Sequence, residues 1–286
     1  MHLSDKALLA HLGVSQWMGR KQDAKASKQI TDMHAANPKA YSATKYLLPT
    51  CSDLKALHTK TAEVRKQFYR NTLPWGIDGT FILPSGNYLE FMTYFRGEKD
   101  SWEQLLNRFL AKYEDAISEA RSTLGTAFIS DEYPSVNSIR QKFRMEITIL
   151  PVPTAGDFRV ELSDAEREHV AAEVERRVNS AHQLAVQDVW SRLHEHVAWF
   201  VDRLSDPKNV FKDQGFETAK STIDLLERLN FTNDPDLEAL RREVAEKLTS
   251  HNPDNLRYDP DVRRQAAEDA QSIMERMGPF MRGLSA

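Results

Sequence analysis

Four kinds of side chain in this 286-residue sequence could do chemistry: a histidine pair, scattered carboxylates, a single cysteine and a basic tract. The pair is His194-Glu195-His196, the nearest approach to a metal cluster. Residues two apart on a helix lie about 200° around its axis, whereas neighbours on one face are three or four apart. His182 is too distant to help, so these read as packing or exposed histidines. Acid/base work needs two carboxyl groups brought into one cleft. Asp78, Glu90, Asp131 and Asp157 lie in or near irregular segments, but their spacing does not make them converge, and Asp beside Gly or Pro is ordinary turn chemistry. Ser85, after Pro84, reads as the cap of "GNYLEFMTYF" rather than a nucleophile. Cys51 has only Lys55, one turn on, as a basic neighbour and reads as a free structural thiol. No phosphate-binding G-x-x-x-x-G-K-[ST] loop, G-x-G-x-x-G or H-E-x-x-H motif occurs. The expectation is a protein without catalytic residues, metal or cofactor.

The basic tract offers more. Arg20, Lys21, Lys25, Lys28, Lys39, Lys45, Lys55, Lys60, Arg65, Lys66 and Arg70 are interleaved with Trp17, Tyr41, Tyr46, Phe68 and Tyr69. Neutralised phosphates plus stacked bases require such a mixture, although Phe68 falls on the apolar face of its own helix. No recognised nucleic-acid motif frames the tract. Trp17, Arg20, Lys21, Lys25, Lys28, Lys55, Lys60, Arg65, Lys66 and Arg70 are therefore candidates for contact with a polyanion or another subunit. Residues 1–72 hold 12 Lys/Arg against 5 Asp/Glu, and the remainder 26 against 37, within a net charge of −4. The basic end could meet DNA or RNA, or the acidic end of another copy, a head-to-tail contact that builds rings or filaments. The charges could equally just solvate helix faces.

A chain of this length suits one or two domains, and 41% hydrophobic residues can fill a core without disulfide or metal staples. One cysteine excludes an internal disulfide and points to a reducing compartment. No apolar run approaches the ~20 residues of a membrane span, and the opening residues lack a signal-peptide pattern. The expectation is a soluble cytoplasmic protein with no membrane partner.

The elements that must position these groups are mostly helical. "MHLSDKALLAHLGVSQWMGR" suits neither period cleanly and is read as helix followed by a short extended piece. A short helix follows, ended by Asn37-Pro38. From Ser52, Leu54, Leu57, Val64 and Phe68 recur at helical spacing with Thr61 at the missing step. Asp100 opens "DSWE" as a capping box, and Trp102, Leu105, Leu106, Phe109, Tyr113, Ile117, Ala120 and Leu124 form one face that Gly125 terminates. "YPSVNSIRQKF" reads as a shorter helix with Ser135 near its cap. "RMEITIL" and "DFRVEL" alternate as strands joined by "PVPTAG", with a third strand from "GTFILP". "SDAE" at Ser163 caps a helix of about 40 residues, roughly 60 Å long. Its seam, Val170, Val174, Val178, Ala181, Ala185, Val189, Leu193, Val197, Phe200 and Leu204, needs partners along its whole length. "ETAKSTIDLLERLNF" and two helices opening on Asp-Pro, at Asp234 and Asp259, complete the chain.

Two stretches look structural. In "TLPWGIDGTFILPSGNYLEF", residues 72–91, Pro74, Trp75, Phe81, Pro84 and Tyr88 read as a clasp, whose turns fix the backbone while aromatics supply contact area. Met274, Met277, Phe280 and Met281 near the C-terminus suit a subunit contact or closure of the chain's own helices.

"VSQWMGRKQD" (14–23), "TLPWGIDGTFILPSGNYLEFM" (72–92), "LGTAFISDEYPS" (124–135) and "KFRMEITILPVPTAGDFRV" (142–160) resemble a family of uncharacterised tailed-bacteriophage proteins. The resemblance covers roughly residues 8–165. It implies a setting, the cytoplasm of an infected bacterium, and no reaction, so no residue role is carried over.

The combined expectation is an α+β, predominantly α-helical fold. A small antiparallel sheet packs on helices and is followed by a long helix and a C-terminal helical array. A basic region 1–162 precedes an acidic all-helical region 163–286. The function expected first is non-enzymatic self-assembly into a homo-oligomer. Alternatives are a nucleic-acid-binding accessory of phage replication or recombination, and an antagonist or trigger of host defence acting through a host protein.

Overall fold

The computed structural model describes residues 2–77, 79–154, 156, 163–206 and 208–284. It is mainly helical, with a four-stranded antiparallel sheet and a separate two-stranded hairpin. Two compact units form, and they are interleaved along the chain rather than divided at residue 162. One comprises Met1–His11, Phe68–Met92 and Thr148–Ala286, the other Leu12–Gln67 and Thr93–Ile147.

The larger unit holds the first half of β1 (Ala7–Ser15), where the sequence suggested a helix. This strand lies inside the sheet order β4-β5-β1-β6, with β4 at Leu73–Pro74, β5 at Thr80–Pro84 and β6 at Arg144–Pro151. Ala7 faces Pro84 and His11 faces Thr80 in antiparallel register. Ala7, Leu9 and Ala10 are all buried. A strand flanked on both edges and covered on both faces loses the polar alternation by which strands are read. The expected strands "RMEITIL" and "GTFILP" are present as β6 and β5. "DFRVEL" lies outside the described residues.

The stretch 72–84 is a tight hairpin, Leu73 facing Ile82 and Pro74 facing Phe81. Gly76 and Gly79 supply positive φ of 82° and 76° at its turn. Leu73, Trp75 and Ile82 join one apolar cluster with the long helix α6, Asp164–Ser205. Phe81 meets Phe68 and Tyr69 at ring distances of 5.3 and 5.1 Å. Pro84 is buried and Tyr88 half-buried.

α6 opens with the full capping box, Ser163 and Glu166 bonding each other's backbone. Its seam is buried from Ala181 to Leu204, by α7 (Asp213–Leu229), α8 (Pro235–Val244) and α10 (Pro260–Leu284) of the same chain. Val178 packs partly on this cluster, and none of residues 164–180 is fully buried. The Asp-Pro starts behave as read: Asp234 accepts from the N–H groups of Asp236 and Leu237, and Asp259 from those of Asp261 and Val262. Arg263 is buried, its guanidinium reaching the carbonyls of Arg203, Leu204, Asp206, Asn209 and Leu256. It thereby closes the C-terminal end of α6, whose last carbonyls have no partner within the helix.

In the smaller unit, α2 (Ser52–Asn71) and α3 (Ser85–Ala111) contribute most of their length. α3 starts at Ser85 and runs straight through Asp100, so the expected capping box there does not form. Its stripe Phe95, Trp102, Leu106 and Phe109 stays buried across the site, and packing overrides the local stop signal. The helix instead breaks at Lys112, and α4 (Tyr113–Leu124) follows. There Tyr113 turns its ring onto Phe109, 5.7 Å away. Thr61 is fully buried because its hydroxyl donates to the Leu57 carbonyl and accepts from the Trp102 indole N–H, 2.9 Å away.

Candidate anion-binding cleft

The structure's clearest site grows from the hairpin formed by β2 (Arg20–Asp23) and β3 (Ala43–Tyr46), with helix α1 (Ala24–Met33) between them. Asp23 ends β2 and caps α1 by accepting from the Ala26 N–H. The register sets Arg20 opposite Tyr46 and Lys21 opposite Lys45. Successive side chains on a strand point to opposite faces, so the two pairs part company. Lys21 and Lys45 converge on Glu132, at 3.8 and 2.6 Å, and Lys45 also donates to the Ala127 carbonyl. Both lysines are thus drawn to one carboxylate on that face.

Arg20 and Tyr46 line a cleft of about 610 Å³ on the other side, shared with the start of α2. Lys55 and His58 project from the first two turns of α2, with Thr50, Cys51 and Ser52 at its entry. The His58 ring bonds the Trp17 carbonyl through Nε2 at 3.0 Å. Trp17 is itself held by Phe109 and Tyr113, at ring distances of 6.5 and 6.1 Å. Gly19 is required where the wall bends: its φ is +61°, and a Cβ there would sit 2.8 Å from Leu54 Cδ2. The Leu47 N–H donates to the Gly19 carbonyl at 2.7 Å, fixing the wall to the end of β3.

No Asp or Glu is among the residues lining this cleft. Among the described residues neither Arg20 nor Lys55 has a carboxylate partner, whereas the acid of the first α2 turn, Asp53, is held by Arg108 and Lys112 at 2.7 and 3.2 Å. Tyr46 is 58% exposed and Met18 40%. Two unpaired cations, an imidazole and an open phenol ring therefore surround one hollow.

The other residues singled out from the sequence are dispersed. Trp17 is a wall of the core rather than an open stacking surface. Lys60 is engaged by Glu98 at 2.8 Å and Glu63 at 3.6 Å; the Glu98 bond raises its pKa against the opposing effect of burial. Arg65 reaches the Val14 carbonyl. Arg70, in the larger unit, donates to Ser221 and Thr222. Lys25, Lys28 and Lys66 are not among the residues lining the cleft. Of the carboxylates, Glu90 is paired with Arg228 at 2.8 Å and Asp131 is exposed; Asp78 and Asp157 lie outside the described residues. Ser85 opens α3, its N–H donating to the Lys6 carbonyl. His196 is half-buried on α6, its pKa lowered by burial and then by Arg70. Among the described residues no three His, Cys, Asp or Glu side chains stand close enough to share a metal ion. Met277 is fully buried, Met274, Phe280 and Met281 pack on the larger unit's own core, and Phe280 stacks on Trp190 at 4.6 Å.

A larger cleft of about 760 Å³ runs along α10, but Glu268 and Glu275 line it together with Arg257 and Arg264, so it has no single sign of charge. Among the described residues no helix is long and apolar enough to cross a membrane. No protein-family model, no curated protein and no solved structure matches the chain.

Proposed function

We propose that the chain is a non-enzymatic accessory protein that binds single-stranded nucleic acid through the Arg20–Lys55 cleft. The observation that carries this is an acid-free hollow with two unpaired cations beside an exposed tyrosine. Phosphate between Arg20 and Lys55, with a base on Tyr46, matches how strands are held without sequence reading. The phage resemblance supplies a setting in which single strands are handled, during replication or recombination of an infecting genome.

Binding of a fluorescent dT oligonucleotide tests the reading. Affinity should fall steeply with salt, because each neutralised phosphate releases counterions. Arg20→Glu and Lys55→Glu should each weaken it at least tenfold. Cys51, the only cysteine, lines the cleft and should be shielded from alkylation by bound strand. Affinity unchanged from that of the unaltered protein in both charge-reversal variants would end the proposal.

Self-association is a second reading, and one observation favours it. Val170 and Val174 continue the α6 seam through turns that bury no residue of this chain. The rest of the seam is covered by the chain's own helices, so the contact would be confined to those first turns. Sedimentation at micromolar concentration checks it: Val174→Glu should dissociate any oligomer, and a monomer throughout would end the reading.

A further inference from the structure

A second hollow, of about 470 Å³, lies in the larger unit between α6 and the segment entering α7. Its walls include His196, Trp199 and Arg203 from α6, with Lys212, Gly215 and Thr218 opposite. No carboxylate is among its lining residues. Lys212 has no ion-pair partner among the described residues, and Arg203 has only the exposed Asp202 beside it, 3.3 Å away. Gly215 lets the backbone approach the indole: a Cβ there would lie 3.0 Å from Trp199 Cζ2.

The surroundings add positive charge. Arg70 donates to the Ser221 and Thr222 hydroxyls of α7, at 2.5 and 3.1 Å, and no acid is bonded to it. Burial and the neighbouring Arg192 both lower its pKa. Arg70 in turn acts on His196. Arg192 is balanced by Asp188 at 2.7 Å, which leaves Arg70 uncompensated. A cavity of this size falls within the range of small-ligand pockets, roughly 300–1,000 Å³. An indole wall selects a flat ring, and cations selected without acids select an anion.

We infer that this hollow binds a nucleotide, with its base against Trp199 and its phosphate at Lys212 and Arg203. The same chemistry is presented by a free mononucleotide and by the 5′-phosphorylated end of a strand. The site belongs to a different unit from the Arg20–Lys55 cleft and stands or falls separately from it.

Calorimetry on the full chain tests it, with AMP, adenosine, inorganic phosphate and a dT tetramer with or without a 5′-phosphate. AMP should bind, and adenosine or phosphate alone at least tenfold more weakly. Trp199→Leu and Lys212→Gln should each cost AMP tenfold or more, also when introduced on top of Lys55→Gln, which removes the contribution of the other cleft. Lys212 is a surface residue, so its variant reports even if Trp199→Leu fails to fold. A phosphorylated tetramer that outcompetes AMP identifies a strand end as the ligand; the reverse order identifies the free nucleotide. No AMP binding at millimolar concentration, or AMP binding untouched by Lys212→Gln, would overturn the inference. Loss of AMP binding in Lys55→Gln would assign it to the other cleft instead, and would also overturn it.

Discussion

Arg20 and Tyr46 face each other across the β2–β3 hairpin, although 25 residues of chain separate them. That one register point turns a basic tract into a site. Shifting the pairing by one residue would send Arg20 towards Glu132 and bring Lys21 to the cleft.

The number of phosphates held in the cleft can be counted from salt dependence. Lys55→Gln should lower the slope of log affinity against log salt by about one, with little change in base preference. Tyr46→Ala should do the opposite, costing about 1–3 kcal/mol of binding while leaving the slope alone. Titrations at several salt concentrations separate the two.

Gly19→Ala should destabilise the protein by about 1–3 kcal/mol, since alanine resists a φ of +61° and its methyl would press on Leu54. Urea denaturation measures the loss. Residual folded protein should also bind strands poorly, because the cleft wall must move.

Much of this architecture could be read from the sequence, and the failures share a cause. Caps announce themselves locally: Ser163, Asp234, Asp259 and Ser135 each start a helix where the chain pattern places one. β1 and the passage of α3 through Asp100 are set by what packs against them, which no window of sequence contains. The candidate cleft was half visible. Arg20, Lys55 and Tyr46 belong to the basic-aromatic tract, but His58 and the pairing that separates Arg20 from Lys21 depend on contacts distant in the chain.

Arg263→Ala should cost about 3 kcal/mol or more, because it leaves buried carbonyls at the end of α6 without donors. Arg263→Lys should recover only part, a point charge being unable to span that set of carbonyls. Thermal denaturation of the two variants provides the comparison.

Phe280→Ala should cost about 1–3 kcal/mol through loss of its stack on Trp190. It should leave the sedimentation behaviour unchanged, since the ring packs within its own chain. Denaturant titration and sedimentation of the same sample give both answers.

Burial and Arg70 hold the His196 pKa below its ordinary 6.5. The unfolded chain therefore takes up this proton first, and the native state loses stability as pH falls below about 6.5 towards the lowered value. Above that window the contribution is complete. His196→Gln should flatten this part of the stability profile, measured by urea denaturation between pH 5 and 8.

The ladder of the larger unit joins residues 7–11 to residues 80–84, and its long helix is closed by Arg263, which is made long after the first strand. The smaller unit, by contrast, is complete once residue 147 has been made. Translation therefore delivers one finished body while the other waits with its first strand and helix end unsatisfied. Truncating the chain before α10 should leave the Arg20–Lys55 cleft assembled and the remainder prone to proteolysis.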